Sequence, residues 1–542
     1  MDKNKKEYRF FGVMLDMSRN AVMKVSEVKK MIDHLHKMGY NMLQLYTEDT
    51  YEIDGEPYFG YMRGRYTGKE IKEIDAYAKS KGVELIPCVQ TLAHFTNLVR
   101  HAAYKPIVDV NDILLAGDEK TYELIDKIFK TLAENFTSRY VNIGMDEAHM
   151  VGLGRYLDKN GFQNRFDILI DHLKRVTEIA EKYGFKPHMW GDMFFRLLNR
   201  GTYLADSVQE VPEEVRKQVP ENVALAYWDY YNVEKENYDV MLDSYAKFGR
   251  EVWFAGGAWS WNGFAPLNKY SLMTMGAAMK SVVERDVKDV LITMWGDNGK
   301  ECSFYALLPS LYTIRQYADG NFNQAKIEKG FNKLFKLKYD EFMALDLPNT
   351  AVKPILDEKG KEFPQNPCKS LLYADPFMGL MDKVVESEYV LPYAEYEKTL
   401  SKIAKKAGEF SYIFDMESKL CSVLAIKAEL GVKTRRAYKA KDMRTLALLV
   451  KDYATLQKRL QKFHEAFCAL WEKENKPFGW EIQDARLGGL NQRVKTCEIR
   501  LRAYIKGKTD KIDELEEEIL PYIPNMYFQC NNYQQIVSFN TF

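Results

Sequence analysis

Cysteine is sparse in this chain. Seven thiols are spread over 542 residues (Cys88, Cys302, Cys368, Cys421, Cys468, Cys497 and Cys530), an odd number with no C-x-x-C spacing. That distribution argues against a disulfide framework, a zinc ribbon or a redox pair, and fits reduced thiols in a cytosolic protein. An excess of one charge is also lacking: Lys plus Arg and Asp plus Glu number 77 each. No bulk field therefore recruits nucleic acid or an anionic membrane. No apolar run is long enough to span a bilayer. The opening Met1-Asp2-Lys3-Asn4-Lys5-Lys6-Glu7 leads straight into a strand-like segment without a signal core, so the expected location is the cytoplasm. No glycine-rich phosphate fingerprint follows a strand, and neither H-x-H nor H-E-x-x-H spacing occurs among the residues at the strand ends. The ligand left by these exclusions is neutral or read locally.

What is present is alternation. Tyr8 to Asp16 reads as a β-run, and Val25 to Met38 carries apolar residues at helical spacing (Val28, Met31, Ile32, Leu35, Met38) before Gly39 closes it. The same unit recurs. Asn41 to Tyr46, Val83 to Val89, Tyr140 to Gly144, Phe185 to Trp190, Val223 to Trp228, Glu251 to Phe254 and Val290 to Trp295 complete eight strand-like runs, with helical stretches such as 69–81, 119–135 and 167–183 between them. Strict alternation predicts a parallel sheet, and eight units over roughly 250 to 300 residues predict a closed (β/α)8 barrel, of the TIM type, in the α/β class. A doubly wound open sheet is the runner-up, disfavoured by the missing phosphate fingerprint.

Beyond Asp319-Gly320 the pattern changes. Ala394 to Leu430, Ala437 to Leu470 and Ile482 to Tyr504 show helical periodicity rich in Lys and Glu, set off by a proline-bearing stretch from Leu347 to Pro376. The expected organisation is a catalytic barrel over 1–320 and an all-α C-terminal domain over 321–542.

A barrel of this type works at the C-terminal ends of its strands. The residues there are Asp16, Glu48, His94, Asp146, Glu147, Trp190, Asp192, Trp228, Asp229, Trp259, Trp295 and Asp297, mostly carboxylates and tryptophans. Indoles stack on the C–H face of a sugar ring while carboxylates take its hydroxyls, so tryptophan walls over an acidic floor predict a carbohydrate pocket. The bland alternative, a core aromatic, suits Trp253 inside its strand. Asp-Glu as a dipeptide carries little weight, since it recurs at Asp118-Glu119, Asp340-Glu341, Asp357-Glu358 and Asp513-Glu514. Asp146-Glu147 alone closes one of the eight strand-like runs, just past Gly144. Two carboxylates crowded in a partly dry site separate in pKa, one staying protonated as an acid, although a capping pair opening a helix has the same spacing.

Asn142-Ile143-Gly144-Met145-Asp146-Glu147 resembles the catalytic strand of the glycoside hydrolase family 20 β-N-acetylhexosaminidases, whose pattern is His-x-Gly-Gly-Asp-Glu. Gly12-Val13-Met14-Leu15-Asp16-Met17-Ser18-Arg19 is similar to the family's first strand, Met189-Trp190-Gly191-Asp192-Met193 to its fifth, Tyr227-Trp228 to its sixth and Met294-Trp295-Gly296-Asp297 to its eighth. The resemblance covers about residues 8 to 318. It implies exo-acting, retaining hydrolysis of terminal β-linked GlcNAc or GalNAc in which the substrate's own acetamide is the nucleophile. Under it Asp146 orients the acetamide, Glu147 is the acid and then the base, and Trp190, Trp228 and Trp295 enclose the sugar. Asp297 takes outer hydroxyls, with Glu48 as a candidate to help it; His94 either supports the acid or is a satisfied structural histidine, and Asp16 and Trp259 line the site from their strand ends. Tyr227 and Tyr230 are both candidates for the acetamide's tyrosine. The implied partner is a small oligosaccharide or glycan, with no cofactor, metal, nucleic acid or membrane.

The departures are Asn142 for His, Met145 for Gly, and Phe11 where the family usually offers a hydroxyl-clamping arginine. Strand alternation puts Arg9 on the Phe11 face but deeper in the barrel. Two rivals remain: a metal-dependent barrel using His94, Asp146, Glu147, His149, His188 and Asp192, and a barrel that binds sugar without cleaving it.

Overall fold

The computed structural model describes residues 6–356, 360–386, 391–521 and 532–540. Cys530, Asp357, Glu358 and the first five residues of the opening segment lie outside them. Eight strands close a parallel barrel: β1 (Phe10–Asp16), β2 (Met42–Tyr46), β3 (Glu84–Cys88), β4 (Tyr140–Asn142), β5 (Lys186–Trp190), β6 (Ala224–Trp228), β7 (Val252–Gly257) and β8 (Asp289–Met294). Each pairs with its sequence neighbours, and β1 closes the ring on β8 with Phe10 opposite Asp289 and Leu15 opposite Met294.

The helices between them follow the apolar periodicity. In α1 (Val25–Met38) the buried face is Val28, Met31, Ile32, Leu35 and Met38, and Gly39 at φ 86° supplies the left-handed stop. In α2 (Gly68–Ser80) the entry is a capping box, Thr67 and Glu70 each satisfying the other's backbone N–H. Next come α3 (Glu119–Asn135) and α4 (Arg165–Lys182), capped by Asp118 and Asn164. Between β5 and β6 a long helix is replaced by α5 (Asp192–Leu198) and a single turn at Glu213–Arg216. α6 (Lys235–Ala246), α7 (Asn268–Glu284) and α8 (Leu308–Ala318) complete the layer.

Inside the barrel the alternating residues meet: Phe10 and Met14, Met42 and Tyr46, Ile86 and Cys88, Trp190, Ala224 and Ala226, Trp253 and Ala255, and Leu291. Gly12 lies on this face between Phe10 and Met14, where a Cβ would come 2.6 Å from the Met42 carbonyl oxygen. His188 lies in the same interior, face to face with Trp253 at 4.0 Å and 3.1 Å from Gln44 Nε2. Burial, helped by Arg9, drives its pKa down to about 3.

Three expectations need correction. β4 ends at Asn142 rather than Gly144, because Gly144 and Met145 both turn left-handed at φ 72°. The helix expected from Ala394 to Leu430 is two, α9 (Tyr393–Ala404) and α10 (Ser411–Lys439), broken at Gly408 with φ 56°. The helix expected from Ala437 is likewise interrupted: Lys441 is left-handed, and Asp442 caps α11 (Met443–Glu474) through the Thr445 N–H. The loop after β3 also contains a short hairpin, Val108–Val110 with Ile113–Leu114.

The chain divides into two compact units. One comprises 1–258, 271–295 and 310–323; the other comprises 259–270, 296–309 and 324–542. In the second, α10 packs against α9 and α11, and α12 (Trp480–Ile505) against α11. Its segment 296–309 is held by buried charge: Lys369 Nζ lies 2.8 Å from Glu301 Oε2, and Arg486 Nη1 3.2 Å from Glu301 Oε1.

Candidate active site

At the ends of β2, β3 and β4 the backbone leaves the sheet through side-chain-bearing residues in the left-handed region: Glu48 (φ 45°), His94 (62°), Met145 (72°) and Glu147 (51°). Each costs about 1 kcal/mol or more. Four such residues around one mouth mark a place where geometry is held against local preference.

Asp146 is buried. Its Oδ1 accepts from Gln90 Nε2 at 2.7 Å, and its Oδ2 lies 3.1 Å from His94 Nε2. Burial pushes the carboxyl up, but the His94 charge and the hydrogen bonds from His94 and Gln90 outweigh it and hold Asp146 below the usual value. Burial conversely pushes His94 down, and the Asp146 charge overrides that to raise it to about 9. The pair is thus carboxylate and imidazolium at neutral pH. Gln90 also donates to Tyr46 OH at 3.0 Å and accepts from the Met145 N–H at 3.2 Å, while Tyr46 OH donates to Glu48 Oε1 at 3.1 Å. Gly144 permits this approach: a Cβ there would meet Gln90 Oε1 at 2.1 Å.

Glu147 contrasts with its neighbour. Its side chain is 41% exposed against 10% for Asp146, so it faces solvent while Asp146 does not. Oε1 lies 3.4 Å from Arg196 Nη2 and Oε2 3.8 Å from His94 Nε2. Its N–H donates to Asp192 Oδ2 at 3.2 Å, which also accepts from Arg196 Nε at 2.7 Å. Burial and the Asp146 charge push Asp192 up, against the pull of Arg196. Arg196 sits one helical turn after Asp192 on α5, so the two form an i, i+4 pair under Glu147.

On the β1 and β2 side, Asp16 Oδ1 accepts from Ser18 N–H and Oγ at 2.8 and 2.7 Å. Arg19 Nη2 lies 3.1 Å from Glu48 Oε1, with its Nε 3.7 Å from Asp16 Oδ2. This arginine, together with Gln90 and Arg196, was not anticipated. The D-x-S-R spacing after β1 and the polar Gln90 two residues past interior Cys88 were the readable signals. Arg196 had only its i, i+4 relation to Asp192.

The aromatic walls divide. Trp190 is fully buried 6.2 Å from Trp295, and its indole N–H has no protein acceptor. Trp295 sits edge-on to Tyr46 at 4.8 Å. Trp228 stacks on Tyr230 at 5.3 Å and 19°. Tyr230 also hydrogen-bonds with Thr293 and Trp295. Tyr227 is a correction: it lies on the opposite face of β6, its hydroxyl donates to Asp229 at 2.8 Å, and its ring packs on Tyr238, Tyr245 and Phe254. Strand alternation aims it at the helices, which leaves Tyr230 as the mouth tyrosine. Phe11 faces outward in the same way, against Tyr8, Tyr40 and Arg315. Arg9 lies at the far end of the barrel, bidentate to Asp289 at 2.9 and 2.5 Å, so it offers nothing to a ligand at the mouth. Trp259 and Asp297 belong to the second unit. Trp259 is buried there, stacked on Trp261 at 4.3 Å and edge-on to Tyr270, and Asp297 is exposed with φ 32°.

Of the donors considered for a metal, His188 is in the barrel interior, and no three His, Cys, Asp or Glu among the described residues are arranged to hold an ion. Elsewhere Asp-Glu is architectural: Asp118 caps α3, and Glu514 pairs with Arg500.

An anionic carboxylate under an exposed one, flanked by indole faces, suits a polyhydroxylated ring, and places this chain among the barrel enzymes that act on carbohydrate. Sequence comparison narrows the class. The profile of the glycosyl hydrolase family 20 catalytic domain matches residues 8–300, and that of the Glycoside Hydrolase 20C C-terminal domain matches 340–533. The chain belongs to glycosyl hydrolase family 20 and is a glycoside hydrolase. It is 23% identical over 250 residues to bovine (Bos taurus) Hexosaminidase D, covering 44% of this chain and 68% of that protein. Human (Homo sapiens) Hexosaminidase D is 24% identical over 258 residues, covering 45% of this chain and 50% of that one. Among solved structures, Flavobacterium johnsoniae chitobiase is 14% identical with a TM-score of 0.47, covering 98% of this chain and 78% of that one.

Proposed function

We propose that this enzyme is an exo-acting, retaining β-N-acetylhexosaminidase that removes terminal β-linked GlcNAc or GalNAc by substrate-assisted catalysis. The observation that carries this reading is the asymmetry of the adjacent carboxylates. Asp146 is buried and kept anionic by His94 and Gln90, so it is equipped to orient an acetamide N–H and to stabilise the positive charge that develops there. Glu147 faces solvent, where a leaving-group oxygen and then a water can reach it, and so serves as acid and then base. The acetamide oxygen attacks the anomeric carbon, the glycosidic bond breaks with a proton from Glu147, and water opens the oxazolinium ion with retention.

In this scheme Trp190, Trp228 and Trp295 enclose the ring, Tyr230 meets the acetamide, and Arg19 with Glu48 and Asp16 takes the outer hydroxyls. Arg196 and Asp192 steady Glu147. No step calls for a metal, and a barrel that only binds sugar has no use for an exposed Glu147 beside a buried Asp146. Cytoplasmic action is proposed alongside, on the six described cysteines, all free thiols; cell fractionation checks it.

The test is hydrolysis of an aryl β-N-acetylglucosaminide and its galacto epimer, with the anomer of the first product read by NMR. The expected outcome is β product, inhibition by a thiazoline mimic of the oxazoline, and indifference to EDTA. An α first product, or no inhibition by the thiazoline, overturns substrate assistance. EDTA-sensitive turnover favours the metal-dependent rival.

A further inference from the structure

The loop joining β2 to α2 is tied down along its length yet turns large apolar side chains to solvent. Backbone bonds close its base: Thr50 N–H to Thr47 O at 2.7 Å, Glu52 N–H to Tyr66 O at 2.9 Å and Tyr66 N–H to Thr50 O at 2.9 Å. Arg63 Nε lies 3.0 Å from buried Asp49, and Glu56 accepts from Lys127 and Tyr104 at 2.6 and 2.7 Å. Tyr51 and Phe59 pack inward, edge to face at 5.1 Å. Their neighbours do not. Tyr58 is 46% exposed, Tyr61 53% and Met62 65%. Tyr58 stacks on the His101 imidazole, from the loop after β3, at 5.2 Å and 28°, with Tyr61 edge-on to both at 6.2 and 6.4 Å.

This display has a cost. Met62 is held left-handed at φ 58° between Gly60 and Gly64, a conformation about 1 kcal/mol unfavourable for a side-chain-bearing residue. Because the loop is braced, little freedom remains to be lost when something settles on it. The patch is also wired to the mouth: Arg63 donates to the Ser18 carbonyl, and the Ser18 hydroxyl donates to Asp16. Met62 is one Cα step, about 3.8 Å, from that arginine.

Resting on the reading above, in which the terminal sugar fills the mouth, any ring held at the rim belongs to the leaving-group side. We propose that Tyr58, Tyr61 and His101, with Met62, form an aromatic platform for the second or third sugar ring of the substrate, stacking its C–H face. The platform makes the enzyme selective for oligosaccharides over single-ring glycosides.

The experiment compares wild type with Y58A/Y61A on two substrates: β-N-acetylglucosaminyl fluoride, which has no leaving-group ring, and a β-linked N-acetylglucosamine trimer. The expected result is a KM about tenfold higher for the trimer in the variant, a less than twofold change for the fluoride, and recovery in Y58F/Y61F. Equal effects on both substrates, or none on the trimer, overturn the platform. If wild type cleaves neither substrate, the hexosaminidase reading fails separately and binding decides the platform. Affinity for N-acetylglucosamine oligomers that rises with chain length, and loses that rise in Y58A/Y61A, upholds it. Affinity independent of length sinks it.

Discussion

The eight barrel strands begin and end in different chemical worlds. Where they begin, Arg9 pairs with Asp289 and Glu251, Arg285 with Asp243, and a cavity of about 470 Å3 between them is lined by charges that already have partners. The left-handed turns feeding β2 and β7 fall on glycines, Gly39 and Gly249. Where the strands end, the left-handed positions carry Glu48, His94, Met145 and Glu147, and polar atoms such as Trp190 Nε1 and Asp192 Oδ1 are buried without a hydrogen-bond partner. A cavity alone therefore does not locate chemistry in this molecule. At the base the charges are closed in ion pairs, and Asp286 alone of the described lining residues is left-handed; at the mouth four left-handed side-chain-bearing residues and unpartnered polar atoms gather around one pair of carboxylates.

The largest effect expected at the mouth comes from its carboxylates. Glu147→Gln should lower turnover of a poor leaving group by about 10³-fold and of an activated one far less, because only the former needs the proton. Asp146→Asn should cost about 10²-fold whatever the leaving group. Steady-state kinetics across leaving groups reads both, and a uniform loss in Glu147→Gln would contradict its role as acid.

The arginines at the two ends sharpen the contrast. Arg19→Ala should raise KM about tenfold and also cost about 1–2 kcal/mol of stability, because Glu48 and Asp16 are buried beside it. Arg9→Ala should leave KM alone and cost about 2 kcal/mol, since Asp289 is buried and would lose its partner while Arg9 itself is a third exposed. Thermal melts paired with kinetics decide it, and the reverse assignment would erase the distinction between the ends.

The smallest effect is in the pH dependence of stability. His94 is raised from its ordinary value near 6.5 to about 9, so its contribution is complete below about 6.5 and is lost as pH climbs through 9. The melting temperature of wild type should fall across that window, and the His94→Asn variant should fall less. Parallel curves would show that the Asp146–His94 pair carries no linkage.

Much of this was legible in one dimension. The period of 3.6 with a closing glycine specified α1 to the residue, and alternation named eight strands within a residue or two at most ends. Asp146-Glu147 stood out because it closes one of the eight strand-like runs, just past Gly144. Which face a strand residue takes was harder. Tyr227 and Trp228 are neighbours of similar composition, and only the register of β6 against β5 and β7 sends one to the helices and the other to the mouth. The roles of Arg196 and Gln90 were hidden for a related reason, since Glu147 and Asp146, the carboxylates they hold, are 49 and 56 residues away.

By itself, then, the sequence determined the alternation, the barrel and the strand that ends in two carboxylates, because these follow from local periodicity and capping. Tertiary structure alone decided which carboxylate is buried beside His94 and Gln90, which arginine reaches the mouth and which stays at the base. It also decided which tryptophans face a ligand, because burial and charge pairing depend on residues brought together from strands far apart in the chain.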